Sequence, residues 1–210
     1  MTKLHAIFAA SSGNAKGIAW IFLTGLIFVG VTGVVRHVGS TMHPVQLAFL
    51  RYAIALIFLM PIILREVKSF RGRNRRYGLH AARGLLHAVG VGLWFYAMAH
   101  IPVAEVTALG FTAPIFATIG AAIFLGEKLY MRRIGAVIFG FAGALVIIRP
   151  GLQVIELGAI AQLVAAPLFA ASLLMAKKLT ETEANGTIVL STGIFVTLAL
   201  LPPALYVWRT

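Results

Sequence analysis

The sequence predicts an all-α protein, a polytopic membrane helix bundle, from three observations. Of its 210 residues 60% are hydrophobic and only 11% charged, which is more apolar surface than a soluble domain of this size hides in one core. Apolar stretches close to the ~20 residues that cross ~30 Å of hydrocarbon recur along the chain, with short polar clusters between most of them. Fourteen of the eighteen Lys and Arg residues fall on one side of the resulting zigzag.

Seven spans follow in order. The first, 17–35, comes after a polar tail (1–16) and is too long for a cleaved leader, so it is read as retained. The second, 45–64, sets Arg51 in a run that is otherwise almost wholly apolar. The third, 79–99, is entered through RGRNRRYG (71–78), read as a topogenic loop rather than a lipid-binding patch. The fourth, 104–125, has Pro114 midway and ends in the turn Leu125, Gly126, Glu127. The fifth, 134–148, is short, and Arg133 and Arg149 lengthen it by reaching to the interfaces. The sixth, 157–176, contains Pro167, and the seventh is 187–207.

A formal net charge of +12 raises the question of nucleic acid. The cations sit in short loops between spans, however, so they set orientation instead and place the N-terminus in the cytoplasm. The chain has no cysteine, which excludes disulfides, thiolate metal sites and cysteine nucleophiles. No metal or cofactor is expected.

Sliding the chain against itself by 141 residues pairs Gly17 with Gly158, Phe28 with Phe169, Arg36 with Lys177 and Pro61 with Pro202. Spans one and two then fall on spans six and seven. The implied unit is five helices (17–149) that begins again at 157–210, and an odd helix number inverts the second copy. By that symmetry the chain is expected to be a fragment, lacking about 80 to 90 residues of a complete second copy.

The polar residues inside the spans are the functional candidates. Arg51 lies about 10 Å in from the outer end of its span, where a charge costs at least ~2.5 to 3.5 kcal/mol and calls for a partner. Two readings are open: a structural pairing with Glu105 or with backbone carbonyls, or recognition of an anionic substrate group by the guanidinium fork. His80, Arg83, His87 and Trp94 share one face of span three. His80 and Arg83 are expected at the cytoplasmic interface. His87 is deeper and is expected to line a vestibule, and Trp94 is placed either to stack on a planar ligand or to pack. Pro114 and Pro167 remove the helical bonds to the carbonyls of Gly110 and Leu163 and are expected to kink their helices. Thr112, Trp20 and Thr24 complete the candidate cavity wall. Small residues at four-residue spacing (Gly84, Ala88 and Gly92; Ala136, Gly140 and Ala144) are read as packing surfaces.

The stretches PVQLAFLRYAIALIFLMP and GFTAPIFATIGAAIFLGEKLYMRRIGAVIFGFAGALVIIRPG resemble the EamA family of the drug/metabolite transporter superfamily. Arg51, Pro114, the Leu125 to Glu127 turn and the terminal RPG carry the likeness. RGLL at 83–86 with Gly92, Trp94, Tyr96 and Pro102 is most similar to the branch of S-adenosylmethionine and riboflavin carriers. The resemblance implies ten helices in two inverted repeats, of which this chain has seven. It implies a secondary transporter of the bacterial inner membrane that moves a small metabolite by alternating access. Its partners would be that metabolite and the lipid bilayer, not nucleic acid, and a homodimer is compatible with the sequence.

Two other classes fit less well. A membrane-embedded enzyme would need HExxH, GxSxG or clustered carboxylates, and the chain has none of these and no Asp at all. A seven-helix receptor or retinal protein would place the N-terminus outside or a lysine in span seven, and neither is found.

Overall fold

Among the described residues the seven predicted spans become eight helices, because one of them breaks. The computed structural model describes residues 13–39, 41–70, 76–128, 130–148 and 156–208. The helices are α1 (Gly13–Val38), α2 (Pro44–Phe70), α3 (Tyr77–His100), α4 (Val103–Gly110), α5 (Ala113–Leu125), α6 (Met131–Ile148), α7 (Leu157–Leu179) and α8 (Asn185–Tyr206). Among the described residues there is no strand. The N-terminal tail to residue 12, the basic loop at 71–75 and the RPG motif at 149–151 lie outside the described residues.

Among the described residues five segments are long and apolar enough to cross a membrane by themselves: Gly17–Val38, Pro44–Pro61, Val103–Leu125, Leu157–Leu179 and Asn185–Tyr206. Of the other two predicted spans, α3 carries polar side chains along its length and α6 is short, at 18 residues. α6 has Arg132 and Arg133 in its first turn. α3 carries His80, Arg83 and His87, and it sits where those groups are tolerable, packed chiefly against α7 and α8 with α2 beside it. Its Val91, Phe95, Ala97 and Met98 are almost wholly buried, in the same cluster as Val106, Leu109, Ala159 and Val196.

Close approach to α3 depends on its small residues. A Cβ built at Gly84 would stand 2.3 Å from the Phe195 Cβ of α8, whereas one at Gly92 would meet nothing within 4 Å. Gly84 and buried Ala88 therefore form the contact the sequence anticipated, and Gly92 does not join it. In the second stripe, Gly140 approaches Ile115 closely.

The loops that hold the helices are polar at their ends. Arg36 Nη1 donates to the carbonyls of Met98 (2.6 Å) and Ile101 (3.1 Å), which closes the C-terminal end of α3 where the helix dipole favours a cation. At the other membrane face Gly126 turns the chain with φ of 67°, and the Glu127 N–H reaches the Ala121 carbonyl at 3.3 Å. The Glu127 carboxylate then accepts from Lys177 of α7 and, at 3.0 Å, from Arg133 of α6. Lys177, and after it Arg133, hold this carboxyl below its ordinary pKa of 4.5.

Two outcomes follow for the purified, detergent-solubilised protein. Gly84→Ala lowers the melting temperature by the equivalent of ~1–3 kcal/mol through overpacking against Phe195, while Gly92→Ala, with free space, gains ~0.5–1 kcal/mol. Melting wild type and Glu127→Gln across pH gives a small difference favouring wild type above pH 4.5. That difference fades as pH falls through the depressed folded-state value, because a lowered carboxylate pKa stabilises only while the unfolded group is ionised.

Candidate functional site

The break between α4 and α5 is local chemistry. Pro114 has no N–H to offer the Gly110 carbonyl, so the helix stops there. The Phe111 N–H turns tightly onto the carbonyls of Ala108 (3.2 Å) and Thr107 (3.3 Å). The chain restarts at Ala113 with Pro114 in the first turn, where a missing N–H costs nothing. Thr112, only 3% exposed, donates its hydroxyl to the Leu109 carbonyl at 2.7 Å. The sequence predicted a kink; the residues produce two helices. Pro167, by contrast, sits inside an α7 that runs unbroken from Leu157 to Leu179.

Beside the break is a cavity of about 550 Å³ bounded by α1, α2, α3, α4, α5 and α7. Three groups line it. Arg51, Tyr52, His87 and Gln162 supply polarity; Phe28, Trp94, Phe111 and Phe169 supply flat apolar walls; Gly110 and Pro114 bring the broken backbone to its edge. Phe28 and Trp94 stack at 5.7 Å between centroids with 29° between planes. His87 meets Phe169 edge-on at 5.3 Å. The Tyr52 hydroxyl is 2.9 Å from His87 Nε2, and the Ser172 hydroxyl is 3.4 Å from His87 Nδ1, a chain that joins α2, α3 and α7 across the cavity floor.

Arg51 is half-buried, and its guanidinium carbon lies 5.2 Å from the Tyr52 ring centroid. No ion pair within 4 Å joins it to Glu105, so that pairing is not formed. The sequence-predicted wall is thus assembled in part. Arg51, His87 and Trp94 come together, with Pro114 beside them. Thr112 caps the helix break and does not line the cavity. Trp20 and Thr24 are also outside it: α1 begins to bury side chains only from Val31 onward, so Trp20 is 60% exposed and the Thr24 hydroxyl bonds the Trp20 carbonyl.

His80 and Arg83 correct the expectation of an interfacial position. His80 is 3% exposed, with Nε2 2.8 Å from Glu183 Oε2 and Nδ1 2.7 Å from the Ser191 hydroxyl. Arg83 donates to the carbonyls of Ile188 (2.9 Å) and Ser172 (3.3 Å) and to the Thr192 hydroxyl. Both bind α3 to α7, α8 and the turn between them, beneath the cavity floor. The physical reason is that α7 and α8 cover this end of α3 and replace lipid and water as its surroundings.

Sequence reasoning missed Tyr52, Gln162 and Phe169. A signal existed for two of them. Gln162 is the lone carboxamide in an apolar span, and Phe169 lies seven residues on, which puts both on one helix face.

The family model for the EamA-like transporter family matches residues 15–149. The chain is similar to a riboflavin transporter of Vibrio cholerae, 31% identical over 92% of this chain and 66% of that protein. It is 37% identical to a riboflavin transporter of Brucella anthropi, over 69% of this chain and 50% of the relative. A third relative is an S-adenosylmethionine uptake transporter of Rickettsia prowazekii, 28% identical over 93% of this chain and 66% of its own length. The chain therefore spans about half to two thirds of the length of the curated relatives it matches.

Replacing Arg83 with Met, which keeps the length and removes every donor, is expected to cost ~2–3 kcal/mol in unfolding experiments on the detergent-solubilised protein. Its carbonyl partners on α7 and α8 lose a charged donor in a place that water does not readily reach.

Proposed function

Taking as premise that the chain belongs to the EamA-like transporter family, we propose that its cavity is the substrate site of a secondary transporter for a small, flat metabolite in the bacterial inner membrane. One observation carries this reading most: a half-buried arginine with no carboxylate partner among the described residues faces a cavity of about 550 Å³ walled by aromatic rings. A buried cation without an internal counter-ion is costly, and an anionic or electron-rich group on a bound molecule offsets that cost. Riboflavin and S-adenosylmethionine, the molecules named for the relatives, both present flat ring systems that suit such walls.

Charge bias supports an N-terminus in the cytoplasm. In that orientation the cavity opens toward the outer half of the bundle, and the Arg83 and His80 contacts close the inner end. A second, inner cavity of about 510 Å³ shares Ala113, Pro114 and Phe169 with the first. That shared wall favours alternating access in which α7 shifts against α5 and passes the metabolite inward.

The test is uptake of labelled riboflavin and S-adenosylmethionine by transport-deficient cells carrying the complete gene. Arg51→Lys keeps the charge and loses the planar fork, and it is expected to reduce uptake about tenfold with the protein still in the membrane. Undiminished uptake by that variant counts against a substrate-binding Arg51, and no uptake of any flat metabolite by the wild type counts against the function.

A further inference from the structure

Gln162 stands out as a polar side chain without employment in the fold. It is 2% exposed, lines the cavity, and its Oε1 has no hydrogen-bond partner among the described residues. Leaving such an acceptor unpaired is costly, and an apolar residue of similar size avoids that cost. The backbone around it is cut to fit: a Cβ at Gly110, on the broken helix, would come within 3.2 Å of Gln162 Nε2. The absence of that Cβ leaves the carboxamide its place at the cavity edge.

We propose that the Gln162 carboxamide reads the edge of a flat nitrogen heterocycle, pairing with a ring N–H or amine that lies beside a ring nitrogen or carbonyl. A carboxamide offers one acceptor and two donors in a single plane, so its natural complement is another planar group with a donor and an acceptor side by side. Glutamine pairs with adenine through N6 and N7 on this principle. The terminal torsion of the side chain is soft, so a half-turn exchanges oxygen and nitrogen to suit the ligand's order. The stacked Phe28 and Trp94 rings and the His87 and Phe169 pair supply the flat walls that such a ring occupies. Arg51 takes charge elsewhere on the ligand; Gln162 sets which heterocycle enters. The assignment rests on the cavity being the transport site.

The complete protein in detergent is titrated with riboflavin and with its N3-methyl derivative, which loses only the ring N–H, and Gln162→Leu is titrated with both. Methylation is expected to weaken wild-type binding at least about tenfold, and Gln162→Leu to weaken riboflavin by a similar factor and to discriminate no longer between the two ligands. If S-adenosylmethionine binds and riboflavin does not, its N6,N6-dimethyl form takes the methylated ligand's role. Equal binding of both forms to wild type, or a leucine variant that still discriminates, overturns the Gln162 assignment and leaves the transport reading intact. Failure of riboflavin and S-adenosylmethionine alike to bind folded wild-type protein removes the substrate class and this assignment together. The wild-type comparison involves no substitution, so a variant that misfolds does not blunt it. Gln162→Asn, one methylene shorter, provides a second variant and is expected to fall between wild type and Leu.

Discussion

A polar helix at the centre of an apolar bundle has to satisfy its charges without water, and the rest of this structure is arranged around that requirement. α3 carries His80, Arg83 and His87, and each is met by a group from another helix or turn: Glu183 and Ser191, the carbonyls of Ser172 and Ile188 with Thr192, and Tyr52 with Ser172. In hydrocarbon an unpaired polar group costs several kcal/mol, so these pairings fix where α7 and α8 must sit. Gly84 then lets α8 approach until Phe195 fills the gap. Polar satisfaction sets the register, and small residues set the distance.

The same requirement explains why the cavity lies where it does. Below the Tyr52, His87 and Ser172 chain, successive hydrogen-bonded layers tie α3 to α7, α8 and the turn between them. Above it, α1 docks only by its last turns, and the α4 and α5 pair is interrupted at Phe111 and Thr112. An interrupted helix shortens the apolar contact a neighbour can make and brings backbone to the edge of the space. The open volume thus lies between a cross-linked floor and a broken wall, and among the described residues Arg51, which faces it, makes no ion pair, while the Oε1 of Gln162 has no hydrogen-bond partner.

Buried polar links such as the His80–Glu183 hydrogen bond add little net stability, because desolvation opposes the attraction. Their value is geometric. They join α3 to the turn and helix that follow α7, elements about a hundred residues further along the chain.

By itself the sequence determined the helical class, the order and approximate limits of seven apolar segments, a disturbance of the helix at Pro114 (expected as a kink), and Arg51, His87 and Trp94 as cavity candidates. It could do so because hydrophobic length, proline geometry and the cost of intramembrane charge act locally, whatever the neighbours are. Only the tertiary structure decided which helix faces protein and which faces lipid. Trp20 and Thr24 read as wall residues, but α1 meets the bundle only from Phe28 onward, and His80 and Arg83 read as interfacial, but α7 and α8 cover them. Burial of a given face is a property of the packing partner, and residues a hundred positions apart, such as His80 and Glu183, carry no sign in sequence that they will meet.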